Sequence, residues 1–138
     1  MHSSQDEREA LANFAARYAL PRADVVQEIE RRVLGAVWGG NGFTTVAQAE
    51  ALAERLDLRT GKLLMDLGTG RGWPGLYLAK RTGCEVVLTD LPIEGLQHAL
   101  RRAEDEAVPS LGAIVASARH LPFGKECVDT IVHTDVLC

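Results

Sequence analysis

The chain has 138 residues, of which 46% are hydrophobic and 25% charged, as in an ordinary single globular domain. Its formal net charge of -4 disfavours nucleic acid and anionic membranes as partners. Because no apolar run approaches the roughly 18 residues that span a bilayer, we expect a soluble, cytoplasmic protein. The cysteines follow no zinc or redox spacing, which predicts reduced thiols and no metal site: Cys84, Cys127 and Cys138.

Residues 1–58 are predicted to form a segment of three helices. The first carries apolar residues at helical spacing: Leu11, Phe14, Ala15 and Tyr18. The second is predicted to begin at Pro21 and has an apolar face of the kind that packs against a core: Val25, Val26, Ile29, Val33 and Val37. The glycine-rich stretch 39–42 should end this helix, and Thr44 or Thr45 can cap the third one.

Residues 59–138 are predicted to alternate between strands and helices. Strands are expected at 63–67, 85–89, 113–116 and 128–134, and helices at 74–81 and 93–107. Strands that alternate with helices of this length predict a parallel sheet with right-handed crossovers. The expected fold is therefore an open, mainly parallel α/β sheet preceded by helices.

The stretch from Asp66 to Gly72 follows the first predicted strand and contains alternating glycines. Glycine permits a tight turn and a close approach of the backbone to a ligand, where the next helix presents unpaired N–H groups. Asp90 ends the neighbouring strand, where a carboxylate can accept both hydroxyl groups of a ribose. Since ligands of open α/β sheets bind beyond the carboxyl ends of the strands, the two segments together predict a nucleoside site.

Two nucleoside ligands compete for this site. Gly70, Gly72 and Gly75 also satisfy the dinucleotide pattern G-x-G-x-x-G, which should open directly after the strand, whereas Gly70 lies further on. A carboxylate at Asp66 would repel a pyrophosphate but suits S-adenosylmethionine, which carries an ammonium and a sulfonium group. The alternative role for Asp66 and Asp90 is the capping of helices.

In these motifs the sequence resembles the class I S-adenosylmethionine-dependent methyltransferases, in particular the small-molecule, ubiquinone-biosynthesis-like group. The first family motif matches Asp66 and the alternating glycines, and the second matches Asp90 with Leu91 beside it. The resemblance implies a Rossmann-like sheet of strand order 3-2-1-4 and S-adenosylmethionine as cofactor. It also implies methyl transfer to a small-molecule acceptor by in-line displacement.

Three further segments carry the resemblance. Ser117 stands where the family usually has an aspartate that contacts the adenine amino group, His133 falls in the fourth motif, and 41–45 resembles the segment that closes over the methionine end of the cofactor. The implied cofactor-binding residues are Asp66, Gly68, Thr69, Gly70, Gly72, Asp90, Leu91, Ser117, Ala118 and His133. His133 could instead be an ordinary packed residue. No catalytic residue is identified, Arg71 is expected to be solvated, and Trp73 and Asp129 are expected to be structural.

The resemblance covers residues 39–138, with four strands of a seven-stranded family domain. Residues 59–138 are thus expected to form the first half of the cofactor-binding domain, truncated after the fourth strand. That strand would expose an apolar edge, so we expect a longer natural protein, a truncated product, or a homodimer paired through this edge. The alternative functions are a catalytically incomplete binding or interaction module and, third, an NAD-binding half-domain.

Overall fold

The computed structural model describes residues 5–40 and 42–136. Asn41 of the predicted closing segment and Cys138 lie outside the described residues. The elements follow one another as α1 (Gln5–Ala19), α2 (Asp24–Leu34), α3 (Val46–Arg55), β1 (Leu63–Leu67), α4 (Gly75–Thr82), β2 (Glu85–Asp90), α5 (Ile93–Asp105), β3 (Ser110–Val115) and β4 (Thr130–His133). Within this part of the chain, no helix has the length and apolar character needed to cross a membrane.

The four strands form one parallel sheet in the order β3-β2-β1-β4, as predicted. Leu67, the last residue of β1, pairs with Thr89 of β2 on one side and with His133 of β4 on the other. Asp90 of β2 pairs with Val115 of β3. The carboxyl ends of all four strands therefore lie along one edge of the sheet, which we call the carboxyl edge.

The hydrophobic core packs around β1 and β2. The middle residues of both strands are buried, and α4 and α5 add more buried apolar residues: Leu64, Met65, Val86, Val87, Leu88, Leu76, Leu78, Leu96 and Ala99. Strands that are covered on both faces read as continuous apolar runs. This is why the predicted bounds of these two strands agree with the structure to within one residue.

The outer strands differ from their predicted bounds. β3 begins at Ser110, three residues earlier than expected, since Ser110 pairs with Val86 on the far side of a register shift between Val86 and Val87. β4 has four residues instead of seven. Asp129 precedes β4, and its carboxylate accepts a hydrogen bond from the Leu63 N–H at 2.8 Å, which confirms its structural role.

Helix α2 departs most from prediction. It begins at Asp24 and ends at Leu34, because Gly35 takes a left-handed conformation with φ 95° and its N–H bonds to the Arg31 carbonyl. Val37, Gly39, Gly40 and Gly42 therefore lie beyond the helix. The predicted apolar face is not packed against the core, since its side chains are 45–64% exposed: Val25, Val26, Ile29 and Val33.

The buried side of α2 is instead held by a charged residue. Glu30 is 5% exposed, forms an ion pair with Arg22, and accepts hydrogen bonds from the N–H groups of Trp38 at 2.9 Å and Gly40 at 2.7 Å. The next helix begins as predicted, with Thr45 rather than Thr44 as the cap, in a reciprocal capping box with Gln48. Polar contacts to the backbone thus fix the path of the chain between α2 and α3.

Candidate functional site

The turn between β1 and α4 contains the alternating glycines. Gly68, Gly70 and Gly72 have positive φ angles of 71°, 58° and 98°, a region that glycine reaches without a steric cost. The Gly68 N–H donates to the Thr89 carbonyl at 2.8 Å, which anchors the turn on β2. A Cβ atom at Gly70 would lie 2.8 Å from the hydroxyl of Tyr18 in α1. The turn is therefore compact, and α1 closes onto it.

Asp66 lies beneath this turn and is only 1% exposed. Its Oδ2 accepts hydrogen bonds from the Thr69 hydroxyl at 2.6 Å and from the N–H of Gly75, the first residue of α4, at 2.8 Å. Its Oδ1 is buried without a hydrogen-bond partner among the described residues. Burial raises the pKa of Asp66 from 3.8 to about 6, against the lowering effect of its two hydrogen bonds. Through the hydrogen bond from the Gly75 N–H, Asp66 caps α4, which is the alternative role that the sequence analysis gave for this residue.

Asp90 lies at the carboxyl end of β2 beside the glycine turn. Its Oδ2 accepts a hydrogen bond from the Gly70 N–H at 2.7 Å, and its Oδ1 accepts one from the Leu91 N–H at 2.8 Å. Burial raises its pKa, while these two N–H groups lower it. A carboxylate oxygen has two acceptor positions, so one remains on each oxygen of this half-buried group. The arrangement can accept two hydroxyl groups on neighbouring carbons.

The end of β3 lies next to Asp90. The Ala116 N–H donates to the Asp90 carbonyl at 3.0 Å, which places Ser117 and Ala118 beside the end of β2. The Ser117 hydroxyl donates to Oε1 of Glu7 in α1 at 2.7 Å and accepts a hydrogen bond from the Arg119 N–H at 3.2 Å. Ser117 is thus already engaged by the N-terminal helix.

The predicted residues come together at the carboxyl edge, but in different environments. Asp66 is buried beneath the turn and Thr69 is buried within it, whereas His133 is exposed at the end of β4, where it pairs with Leu67. Leu91 and Ser117 are half-buried at the ends of β2 and β3. The surface at the carboxyl edge therefore spans the ends of β3, β2 and β1, and the end of β4 lies beside that of β1.

Arg71 is 7% exposed, which corrects the expectation that it is solvated. Its Nη2 donates to the carbonyls of Arg17, Tyr18 and Leu20, each at 3.2 Å, and its guanidinium lies 5.3 Å from the centre of the Tyr18 ring. The last carbonyls of a helix have no partner within it, and a cation there also suits the helix dipole. The signal in the sequence for a buried Arg71 was its position between two glycines of the motif, Gly70 and Gly72.

The opposite side of the site is bordered by residues 42–45. The Trp73 indole N–H donates to the Thr44 carbonyl at 3.0 Å, and the tryptophan is buried, which confirms its packing role. Asp135, which follows β4, accepts hydrogen bonds from the Phe43 N–H at 3.1 Å and the Thr44 hydroxyl at 3.4 Å. Asp135 itself has φ 57°, which is uncommon outside glycine. This contact between segments far apart in the chain had no signal in the sequence.

Two cavities in the described part of the chain lie away from the predicted site residues. One of about 310 Å³ is lined by Trp38, Tyr77, Lys80 and Arg81. Another of about 350 Å³ lies between the end of α5 and the start of β3. Neither contains a residue of the glycine turn or Asp90. The open carboxyl edge, where the polar groups converge, therefore stays the better candidate site.

Residues 64–138 match the sequence model of a family described as methyltransferase domain. Methyltransferase GfsG from Streptomyces halstedii is 34% identical over 83 residues, which are 59% of this chain and 30% of that protein. This chain therefore spans less than a third of the length of that curated relative.

Two solved structures share the fold. Geranyl diphosphate C-methyltransferase from Streptomyces coelicolor A3(2), in complex with Mg2+, geranyl diphosphate and S-adenosyl-L-homocysteine, superposes with a TM-score of 0.69 and 18% identity. The superposition covers 96% of this chain and 54% of that protein. Haemonchus contortus phosphoethanolamine N-methyltransferase 1, in complex with phosphoethanolamine and S-adenosylhomocysteine, gives a TM-score of 0.65 at 16% identity, over 96% of this chain and 26% of that one.

Proposed function

This chain belongs to the methyltransferase domain family, and we propose that it binds S-adenosylmethionine and serves methyl transfer to a small-molecule acceptor. The Asp90 carboxylate carries this proposal, because the glycine turn holds it while one acceptor position stays available on each oxygen. A ribose offers two adjacent hydroxyl groups to such a carboxylate. The acceptor positions at the end of β2 therefore fit the ribose of an adenosyl group.

The order of the strands supports a ligand that lies across three strand ends. We place the methionine part at the glycine turn after β1, the ribose at Asp90 after β2, and the base between Leu91 and Ser117 at the ends of β2 and β3. Asp66 lies beneath the turn and adds negative charge below the part of the ligand that carries the positive groups. The same charge disfavours the pyrophosphate of a dinucleotide at this turn.

When bound, S-adenosylmethionine supplies a methyl group on a sulfonium for in-line displacement by an acceptor atom, which leaves neutral S-adenosylhomocysteine. The residues of this chain serve alignment and exclusion of water. Helix α1 borders the site above the ends of β1 and β3, and residues 42–45 border it next to β4. No protein nucleophile is required for such a displacement. A base is needed only for acceptors that lose a proton, and we assign none.

The acceptor class and the location are part of the same proposal. The related structures contain phosphoethanolamine and geranyl diphosphate, which are both small molecules. The net charge of -4 supports a small acceptor over nucleic acid. Cys84 and Cys127 are unpaired thiols, which supports a cytoplasmic location.

Ligand binding tests the proposal. We expect S-adenosylhomocysteine to bind in isothermal titration calorimetry and to raise the melting temperature, whereas NAD should do neither. Asp90→Ala should weaken binding by at least about tenfold, because it removes charge-assisted hydrogen bonds to the ribose. Asp105→Ala, at the exposed end of α5, is the matched control and should bind normally. Stabilisation by NAD alone would assign the site to a dinucleotide, and stabilisation by neither ligand would leave an interaction module.

We also propose that the free edge of β4 pairs with β4 of a second copy. Among the described strands β4 is hydrogen-bonded only to β1, and Ile131 in its middle is 51% exposed. Ile131→Lys should then shift the mass measured by light scattering from dimer to monomer. Leu111→Lys, on the opposite edge strand β3, should leave the dimer intact. A wild-type chain that is monomeric at high concentration would refute this pairing.

A further inference from the structure

The end of α1 is attached to α5 and to the glycine turn through its backbone. Helix α1 packs against α5. The Tyr18 carbonyl near its end lies 3.0 Å from Nε2 of His98 in α5 and accepts a hydrogen bond from Nη2 of Arg71 at 3.2 Å. The Tyr18 side chain lies against the turn, since a Cβ atom at Gly70 would be 2.8 Å from its hydroxyl. These contacts therefore hold α1 against the glycine turn.

The two neighbours of the His98 ring specify its protonation state. Nε2 faces the Tyr18 carbonyl, and Nδ1 lies 3.2 Å from Nη2 of Arg101. A carbonyl can only accept a hydrogen bond, and a guanidinium can only donate one. Nε2 therefore carries the hydrogen that is donated to Tyr18, and the lone pair of Nδ1 accepts the hydrogen of Arg101. Both contacts together require the neutral imidazole.

The surroundings of His98 disfavour a positive charge on the ring. Burial lowers its pKa, the hydrogen bond to the Tyr18 carbonyl raises it, and three arginines of the glycine turn and α5 lower it: Arg71, Arg101 and Arg102. On α1 itself, the Arg17 guanidinium lies over the Phe14 ring. Glu94 lies one turn before His98 on α5, and the net shift of the pKa is still downward from 6.5. A hydrogen on Nδ1 would also point at the Arg101 guanidinium and replace a hydrogen bond by a repulsion.

We propose that His98 is a pH-sensitive latch, whose neutral form holds the end of α1 against the glycine turn and whose protonation releases the helix. Above about pH 7.5 the ring is neutral whether α1 is attached or released, and the latch is closed. As the pH falls through about 6.5, the released form takes up a proton more readily than the attached form, so opening of α1 becomes more favourable. This direction is opposite to that of Asp66, whose pKa is raised by burial. The latch involves only residues of this chain and does not depend on the proposed cofactor.

Amide hydrogen exchange across a pH series tests the latch. In the wild-type chain the protection factors of residues 5–19 should fall by at least about threefold from about pH 8 to about pH 5, whereas those of β1 and β2 should not fall. His98→Gln keeps a side-chain donor for Tyr18 and an acceptor for Arg101 but does not titrate, so the protection of α1 should not fall in this variant. His120→Gln, at an exposed position after β3, is the matched control and should behave like the wild type.

Nitrogen NMR of the imidazole rings gives a second test that needs no variant at His98. In the wild-type chain, His98 should be the Nε2–H tautomer at about pH 8 and should titrate at a lower pH than the exposed His120. An Nδ1–H tautomer, or a titration midpoint at or above that of His120, would contradict the inference. An equal fall in α1 protection in wild type and His98→Gln would also contradict it, because another group would then cause the pH dependence. Should His98→Gln be unfolded by circular dichroism, the NMR titration decides.

Discussion

The sheet and the first two helices, α1 and α2, bury different kinds of side chain. In β1 and β2 the buried residues are mostly apolar, such as Leu64, Met65 and Leu88. In α1 and α2 the large apolar side chains are mostly exposed, and the groups that hold the helices to the rest of the molecule are Glu7, Glu30 and the Arg71 guanidinium. The sheet is therefore stabilised mainly by the hydrophobic effect, whereas hydrogen bonds and ion pairs have a larger share in the attachment of α1 and α2.

This difference has a consequence for the site. A fully buried leucine contributes several kcal/mol, whereas a typical hydrogen bond contributes about 1 kcal/mol net. Helix α1 can therefore open while the sheet stays folded, because local opening costs less than global unfolding. Such an arrangement suits a helix that borders the proposed ligand site.

The largest expected difference between the two regions is in leucine truncation. Leu64→Ala, at a position that is 0% exposed in β1, should lower the free energy of unfolding by about 3 kcal/mol, because it leaves a cavity in the core. Leu20→Ala, at a position that is 64% exposed after α1, should change it by less than about 0.5 kcal/mol. Urea denaturation followed by circular dichroism measures both. Equal losses for the two variants would contradict the comparison.

Asp66 is an ionisable residue buried within the sheet, and it makes stability depend on pH. Burial raises the pKa of Asp66 to about 6, so between about pH 4 and 6 the folded chain holds a proton that the unfolded chain has released. The free energy of unfolding should therefore rise as the pH falls from about 7 to about 4, by up to about 3 kcal/mol from this group. Denaturant unfolding of the wild-type chain and of Asp66→Asn over this range measures the contribution.

The difference in the free energy of unfolding between the wild-type chain and Asp66→Asn isolates the contribution of Asp66, because Asp90 and the other acidic residues are present in both. Asp105→Asn, at an exposed position, is the control and should run parallel to the wild type. A difference between wild type and Asp66→Asn that is the same at pH 4 and pH 7 would show that Asp66 titrates at the same pH in the folded and unfolded chains.

The smallest expected effect concerns the attachment of α1. Arg71→Met removes the hydrogen bonds to three carbonyls at the end of this helix and should cost about 1 kcal/mol. We expect amide hydrogen exchange in residues 5–19 to accelerate by several-fold, with no change in β1 and β2. Arg32→Met, at an exposed position of α2, is the control. Faster exchange throughout the sheet would instead show that Arg71 supports the whole fold.

The amino-acid sequence was sufficient for the sheet and for placing the glycine turn and Asp90 at its carboxyl edge. β1 and β2 are buried on both faces, so their apolar runs and the turn residues around them mark their bounds, and the alternation with helices fixes parallel pairing. The glycine turn and Asp90 follow directly from these strands, since both stand where a strand ends. In this region the sequence pattern that marks the end of a strand also marks the place of the residue at the carboxyl edge of the sheet.

The placement of the N-terminal helices was decided by contacts between distant parts of the chain. Glu7 meets Ser117, Arg71 holds the end of α1, and Asp135 holds Phe43, all across long stretches of sequence. Helical periodicity identified an apolar face on α2 but not whether anything covers it. Periodicity reports which residues share a face, whereas the packing of that face depends on the surfaces that the rest of the fold presents.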